Sequence, residues 1–273
     1  MIATITLTLA GVFGVAAAVA PVAADPPEVA ELPEVADPPE VAQSLEVAKS
    51  SDKDVPPERA MKAAVVKGLW KVCQFGGDGP VSISEPKRAN DASPADRSSP
   101  NPIDRVIELS IGDPMSGVYW DGSVPKTNYR LRYRAKRIEG FDFFAAATFP
   151  VGDDTITFVP GGWGGGVTGI SSIDGQDASD NETTRYVALK TDRWYAFEII
   201  VTDAKIVAKI DGEVIADVGR EGKTFSMRDE MDVCKPLGFA AFQGDAIIRD
   251  ITIDRLDATA SKSHSGSSGQ DDD

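Results

Sequence analysis

The chain has 273 residues, 43 of them acidic and 28 basic, for a net charge of −15 with a single histidine. Residues 1–48 hold seven acids and no Lys or Arg, so 28 basic residues face 36 acidic ones in the remainder, a net −8. No basic face of the kind a phosphate backbone demands is left, which excludes nucleic acid as a partner, and the length suffices for one large domain with appendages or for two small ones.

Residues 1–24 form an uncharged apolar run ending in Val22-Ala23-Ala24 before Asp25. Small residues at its end resemble a signal-peptidase site, and the run is also long enough to span a bilayer uncleaved. Either reading predicts an exported protein, periplasmic, cell-surface or extracellular, whose only membrane contact is this segment. No Cys follows the run, so a lipid anchor is not indicated. Residues 25–54 carry a period-six repeat (PPEVAE, LPEVAD, PPEVAQ, SLEVAK) in which Pro26, Pro27, Pro33, Pro38 and Pro39 fix φ and remove backbone donors. An extended stalk is expected, on the order of 70 Å long over 24 residues in polyproline II form.

Residues 55–67 open on Pro56-Pro57 and continue Ala-rich, which predicts a short helix. Residues 68–257 are then dominated by strand signals, with strands expected at 69–75, 81–84, 106–111, 129–135, 143–149, 155–159, 186–189, 195–202, 205–210, 213–218, 238–242 and 247–253. Tyr129, Leu131 and Tyr133 alternate with Arg130, Arg132 and Arg134, so one face is apolar and the other cationic. That cationic row is expected to be a solvated sheet face, its alternative a clamp for an acidic glycan. Asp211-Gly212 between two apolar runs signals a type I′ hairpin. Many short strands with almost no helix predict an all-β fold, an antiparallel β-sandwich or jelly roll of about 200 residues. Residues 87–102 form a Pro-containing polar insert expected to be a surface loop. Residues 258–273 are rich in Ser, Gly and Asp, lack an apolar period and predict a disordered tail.

Within this pattern, 158–184 (FVPGGWGGGVTGISSIDGQDASDNETT) stands apart. It sets Trp163 among Gly161, Gly162, Gly164, Gly165 and Gly166, then adds Asp174, Asp177, Asp180, Asn181 and Glu182. Glycine permits φ > 0 and close backbone approach, so a shaped loop is expected here. An indole on a glycine floor suits a sugar ring, and Asp174, Asp177, Asp180 and Glu182 supply oxygens of the kind Ca²⁺ takes. Each feature has a plainer reading: Trp163 as a core residue closing one end of the sandwich, the carboxylates as a solvated acidic loop. Trp70, Trp120 and Trp194 are expected in the core. Asn181-Glu182-Thr183 also matches a glycosylation sequon.

Three segments together resemble known proteins. RWYAFEIIVTDAKIVAKIDGEVIADV is similar to the Trp-centred strand and DG hairpin of laminin-G-like, concanavalin A-like jelly rolls. LGFAAFQGDAIIRDITIDRL resembles the closing strands of the bacterial 3-keto-disaccharide hydrolase domain family. GGWGGGVTGISSIDGQDASDNET resembles a block of secreted planctomycete proteins of the same superfamily. The resemblance covers 68–256 and implies a concanavalin A-like sandwich and, for the hydrolase family, cleavage or lysis of 3-keto-glycosides. Where that family shows an Asn-Ser-Gly turn before an FR strand, this chain has Gly140-Phe141-Asp142-Phe143-Phe144.

His264 lies in the tail, so Ser-His-Asp and Cys-His catalysis and His-ligated metals are excluded from the folded part. Two cysteines and one histidine make no zinc site. Cys73 and Cys234 leave two readings open, a disulfide or two separately buried thiols. Glu230-Met231-Asp232-Val233-Cys234-Lys235 approaches the Glu-x-Asp-x-x-Glu of jelly-roll glucanases, with an ammonium in place of the acid, which excludes that chemistry. The leading expectation is therefore an exported, non-catalytic module for a glycan or cell-surface partner, with Trp163, Gly164, Gly165, Asp174, Asp177, Asp180, Asn181 and Glu182 as its site and Ca²⁺ as its one candidate cofactor. A 3-keto-glycoside hydrolase or lyase, and a structural envelope protein, are the alternatives.

Overall fold

A computed structural model describes residues 62–63, 67–77, 79–86 and 102–256. The expected leader, stalk and tail lie outside these, as does almost all of the insert at 87–102. Among the described residues no helix is long and apolar enough to cross a membrane.

The described strands are β1 (Lys62–Ala63), β2 (Gly68–Val72), β3 (Val81–Ser84), β4 (Val106–Leu109), β5 (Met115–Gly122), β6 (Tyr129–Glu139), β7 (Ala146–Val151), β8 (Asp154–Gly162), β9 (Val167–Ser171), β10 (Arg185–Tyr186), β11 (Tyr195–Val201), β12 (Lys205–Ile210), β13 (Glu213–Gly219), β14 (Gly238–Phe242) and β15 (Asp245–Arg255), with a 3₁₀ helix at Asp229–Cys234 before β14. They form two antiparallel sheets. One runs β13-β12-β11-β6-β15-β4-β3 with β1 also paired to β15, and the other runs β10-β9-β8-β7-β14-β5-β2. The all-β antiparallel sandwich expected from the alternation is the fold.

Period two explains the packing. On β6, Tyr129, Leu131, Tyr133 and Ala135 point inward and are buried, and on β7 and β8 so do Phe149, Val151, Ile156 and Phe158. The core joins the sheets through aromatic contacts: Tyr133 stacks on Phe197 at 4.7 Å and meets Phe239 of the other sheet at 4.8 Å. Trp70 and Trp120 meet edge to face at 5.4 Å, in the core as expected. The buried phenols of Tyr129 and Tyr133 donate to the carbonyls of Pro150 and Ala145, so neither is buried unpaired. Burial pushes both far above the ordinary phenol range.

On the outward face of β6, Arg130 and Arg132 reach diagonally to Glu198 at 3.3 Å and Asp254 at 2.7 Å. The residues directly across the ladder are Asp254 for Arg130 and Glu198 for Arg132. Arg130 is thereby buried, where a solvated residue was expected. Its stem lies along the sheet while its charge stays paired. Asp211 and Gly212 take φ of 51° and 85°, the expected hairpin.

Four expectations are corrected. Lys62 and Ala63, placed in a helix at 55–67, instead pair with Arg255 and Asp254 as β1, a ladder that β15 provides and no local signal announces. β5 and β9 were not anticipated because Gly117 and Gly169 interrupt their apolar pattern. Both glycines are required by crowding, since a Cβ would lie 2.6 Å from the Phe239 carbonyl and 2.9 Å from Thr183 Oγ1. Within the stretch at 158–184, residues 158–162 and 167–171 are therefore sheet and not loop. Trp194 lies before β11 and is half-buried on the outer face, outside the core, under Arg249 at 4.0 Å with Arg134 and Lys136 at 5.7 Å.

Candidate functional site

The outward residues of the seven-stranded sheet build a hollow because they are small where the inward ones are large. Ala146 on β7, Thr157 on β8 and Ser171 on β9 face a cleft of about 330 Å³, beside Met115 from β5 and Phe242 from β14. Met231 of the 3₁₀ helix and Phe143 complete its apolar lining, and Trp163, Asp142, Arg228 and Glu230 bring the polar and aromatic groups. Beneath the helix a separate small core of Cys73, Met115, Met231, Cys234 and Ala240 seats it on the sheet.

Trp163 is 42% exposed, on the turn that follows β8. Its φ is 52°, a left-handed conformation that costs a bulky residue about 1 kcal/mol. Gly164 and Gly165 follow at +81° and +95°. At Gly165 any side chain is excluded, because a Cβ would sit 2.2 Å from the Phe141 carbonyl. The turn is tied to the 141–143 loop by Asp142, whose two oxygens accept from the backbone N–H groups of Gly164 (2.8 Å) and Phe143 (2.7 Å).

Under both segments lies Arg137, whose position on β6 has the inward parity. It is buried, and among the described residues no carboxylate forms a salt bridge with it. Its guanidinium donates to the carbonyls of Phe141 and Asp142 (3.1 Å each) and of Leu189, and to Thr191 Oγ1 at 3.2 Å. Burial lowers its pKa, with the neighbouring Tyr195 phenol and Asp142 carboxylate opposing. It positions the loop that holds Trp163.

The predicted acidic residues do not converge. Asp174 accepts from the Thr224 N–H at 2.8 Å, and Glu182 pairs with Lys223 at 2.9 Å. Asp177 Oδ1 accepts from Ser171 (2.9 Å) and Ser172 (3.0 Å), and its Oδ2 takes Arg228 at 2.7 Å. Asp180 accepts from Ser179 next to it. Among the described residues no three His, Cys, Asp or Glu side chains gather as a metal site would need. Asp174 and Glu182 share the Lys223–Thr224 segment, while Asp177 turns to Ser171, Ser172 and Arg228. Asn181 is buried, with Nδ2 donating to the Ile170 and Gln176 carbonyls and Oδ1 accepting from Thr183. Its amide serves the fold, not a ligand or a glycan.

Arg228 bridges Asp177 and Glu230, the latter at 2.8 Å. Burial would raise the pKa of both acids. The Ser171, Ser172 and Arg228 contacts outweigh it for Asp177, and a backbone N–H and Arg228 do so for Glu230, so both carboxyls lie below their ordinary range. Asp142, Arg228, Glu230 and Arg137 had not been singled out as site residues. Two of them carry a signal: Asp142 is an acid inside the apolar run 141–149, and Arg137 is a cation at an inward position.

Cys73 and Cys234 are brought together with their sulfurs 3.5 Å apart, both buried thiols in this structure. The contact with Cys73 and burial push the Cys234 thiol up.

The chain matches no protein-family model and no curated protein. Among solved structures it is similar to a carbohydrate-binding module of Bacillus subtilis (8% identity, 69% of this chain and 97% of that one, TM-score 0.38). It is likewise similar to a galectin-like protein of unknown function from the same organism (9%, 72% and 98%, 0.42). A third is domain 4 of an extracellular arabinanase from Geobacillus stearothermophilus, solved with arabinotriose (14%, 71% and 94%, 0.39). At such scores and identities the likeness reaches no further than the sandwich itself.

Proposed function

We propose that the protein is an exported, non-catalytic carbohydrate-binding module that takes a neutral sugar in the cleft beside Trp163. The observation that carries this reading is an exposed indole, held in a costly left-handed conformation, at a hollow that pairs apolar walls with Asp142, Arg228 and Glu230. Apolar faces of a sugar ring pack on the indole and on Phe143 and Phe242, while ring hydroxyls meet the charged groups. Arg228 is already shared by two carboxylates, and Asp142 adds a further negative charge, so an acidic sugar would meet repulsion there. A glycan array with the wild-type chain and Trp163→Ala tests the proposal. Binding to neutral glycans in the wild type and its loss in the variant are expected, and equal binding by both would overturn it.

A second reading rests on the two carboxylates, Asp142 and Glu230, in one cleft. Glu230, ionised at neutral pH, has the protonation state a base needs to remove a proton beside the ketone of a 3-keto-glycoside. Turnover of a 3-keto-disaccharide by the wild type, absent in Glu230→Gln, would establish this enzyme reading in place of the first.

A further inference from the structure

Among the described residues only three aromatic side chains are exposed: Trp163 at 42%, Phe141 at 61% and Tyr186 at 82%. All three border one feature, the glycine turn at 164–166. Trp163 opens onto the cleft on one side of it. A second, shallow hollow is lined by Gly164, Gly165, Gly166, Phe141, Tyr186 and Leu189 among others, with no charged side chain. Trp163 thus lines the cleft and the next three residues line the second hollow, so the two meet at a turn whose Gly164, Gly165 and Gly166 carry no side chains. At Gly165 this bareness is enforced, since the Phe141 carbonyl leaves no room for a Cβ. Tyr186 lies on β10, the edge strand of the sheet, and its neighbour Val187 donates its N–H to the Gly166 carbonyl at 3.2 Å, which ties the edge to the turn.

We infer that the site accepts a neutral polysaccharide chain across this glycine ridge, with Tyr186, assisted by Phe141, stacking a second sugar unit beyond the one at Trp163. The inference rests on the cleft reading above and adds the class of ligand, an extended polymer in place of a terminal monosaccharide. An uncharged, aromatic-edged hollow next to the Trp163 turn favours a sugar ring face, which needs apolar contact and no counter-charge. Two weak contacts on one chain also reinforce each other through effective concentration.

Calorimetric titration of the full chain with neutral β-glucan, xylan and mannan ladders of one to six units, and with oligouronates for comparison, tests it. Wild-type affinity should rise about tenfold between the shortest and longest members of the neutral ladder bound, a step of the size 1.4 kcal/mol gives. Tyr186→Ala should abolish that rise and leave the affinity for the shortest ligand unchanged, while Tyr186→Phe should keep it. If Tyr186→Ala binds every length as the wild type does, the inference fails and the cleft reading stands. If no neutral ladder binds, or Trp163→Ala leaves all affinities unchanged, both fail. If sedimentation shows a dimer that Tyr186→Ala dissolves, a second copy of the chain occupies this surface and the inference is overturned.

Discussion

The two outer faces of this sandwich begin from the same alternation and end as opposite surfaces. On the eight-stranded sheet the outward positions carry long cations, each laid along the sheet toward a carboxylate, and Trp194 is covered by Arg249, Arg134 and Lys136. On the seven-stranded sheet the outward positions include the small Ala146, Thr157 and Ser171, and Trp163 is left open beside the hollow they help make. Parity alone says which residues face outward, and their size and pairing decide whether the result is a surface closed on itself or one that awaits a ligand.

The largest expected effect concerns what holds the hollow's wall. Oxidation of Cys73 and Cys234 to a disulfide would close a loop of 161 residues under the 3₁₀ helix that carries Glu230 and Met231. The chain-entropy model puts the gain at about 5 kcal/mol. Denaturant unfolding in oxidising and reducing buffer should differ accordingly, and Cys234→Ser should remove the difference.

Next is Arg137→Met, which leaves the Phe141, Asp142 and Leu189 carbonyls without their donor and should cost about 3 kcal/mol in the same measurement. Ligand affinity should fall with it, because the loop that holds the Trp163 turn is released. Full affinity in a folded Arg137→Met would show that the cleft does not depend on this clamp.

The two tryptophans give the sharpest contrast. Trp163→Ala should lower ligand affinity at least tenfold, about 1.4 kcal/mol, and leave the melting temperature unmoved. Trp194→Ala should do the reverse, losing about 1 kcal/mol of stability with the cations that lie over it and no affinity. If both variants behave alike, the distinction between the faces is wrong.

Smaller still is the acid response. Asp177 and Glu230 have folded pKa values below the ordinary 3.8 and 4.5, so their contribution is complete above those values and is lost as pH falls through the folded ones. Arg228→Ala should lower stability at neutral pH and flatten the acid limb, because the folded pKa values of Asp177 and Glu230 move back toward the unfolded ones. Smallest is calcium. With Asp174, Asp177, Asp180 and Glu182 each engaged elsewhere, millimolar Ca²⁺ should not shift the melting temperature.

Much of the fold was legible. β3, β12 and β14 fall where their alternation places them, and the Asp211-Gly212 turn follows from residues that tolerate positive φ. The site was less so. Trp163 and its glycines were visible as a composition without a partner, and their open position depends on Phe141, Asp142 and Arg137, which come from β6 and the loop after it. The acidic run looked like one ligand set because its members are close in sequence, yet Asp174 and Asp177 answer to Thr224 and Arg228, 50 and 51 residues away.

By itself the sequence determined two antiparallel sheets, their apolar sides and the aromatic core between them, because strand periodicity is a local property that each segment carries alone. Only the tertiary structure decided that Arg228 stands between Asp177 and Glu230, that Arg137 lies under the glycine turn, and that a hollow opens at Trp163. Those outcomes depend on which strands become neighbours, and β14 enters between β7 and β5 with Phe239 opposite Ala147 and Val118, both far away along the chain. That pairing is set by burial of the whole core, a sum over distant residues that no single segment encodes.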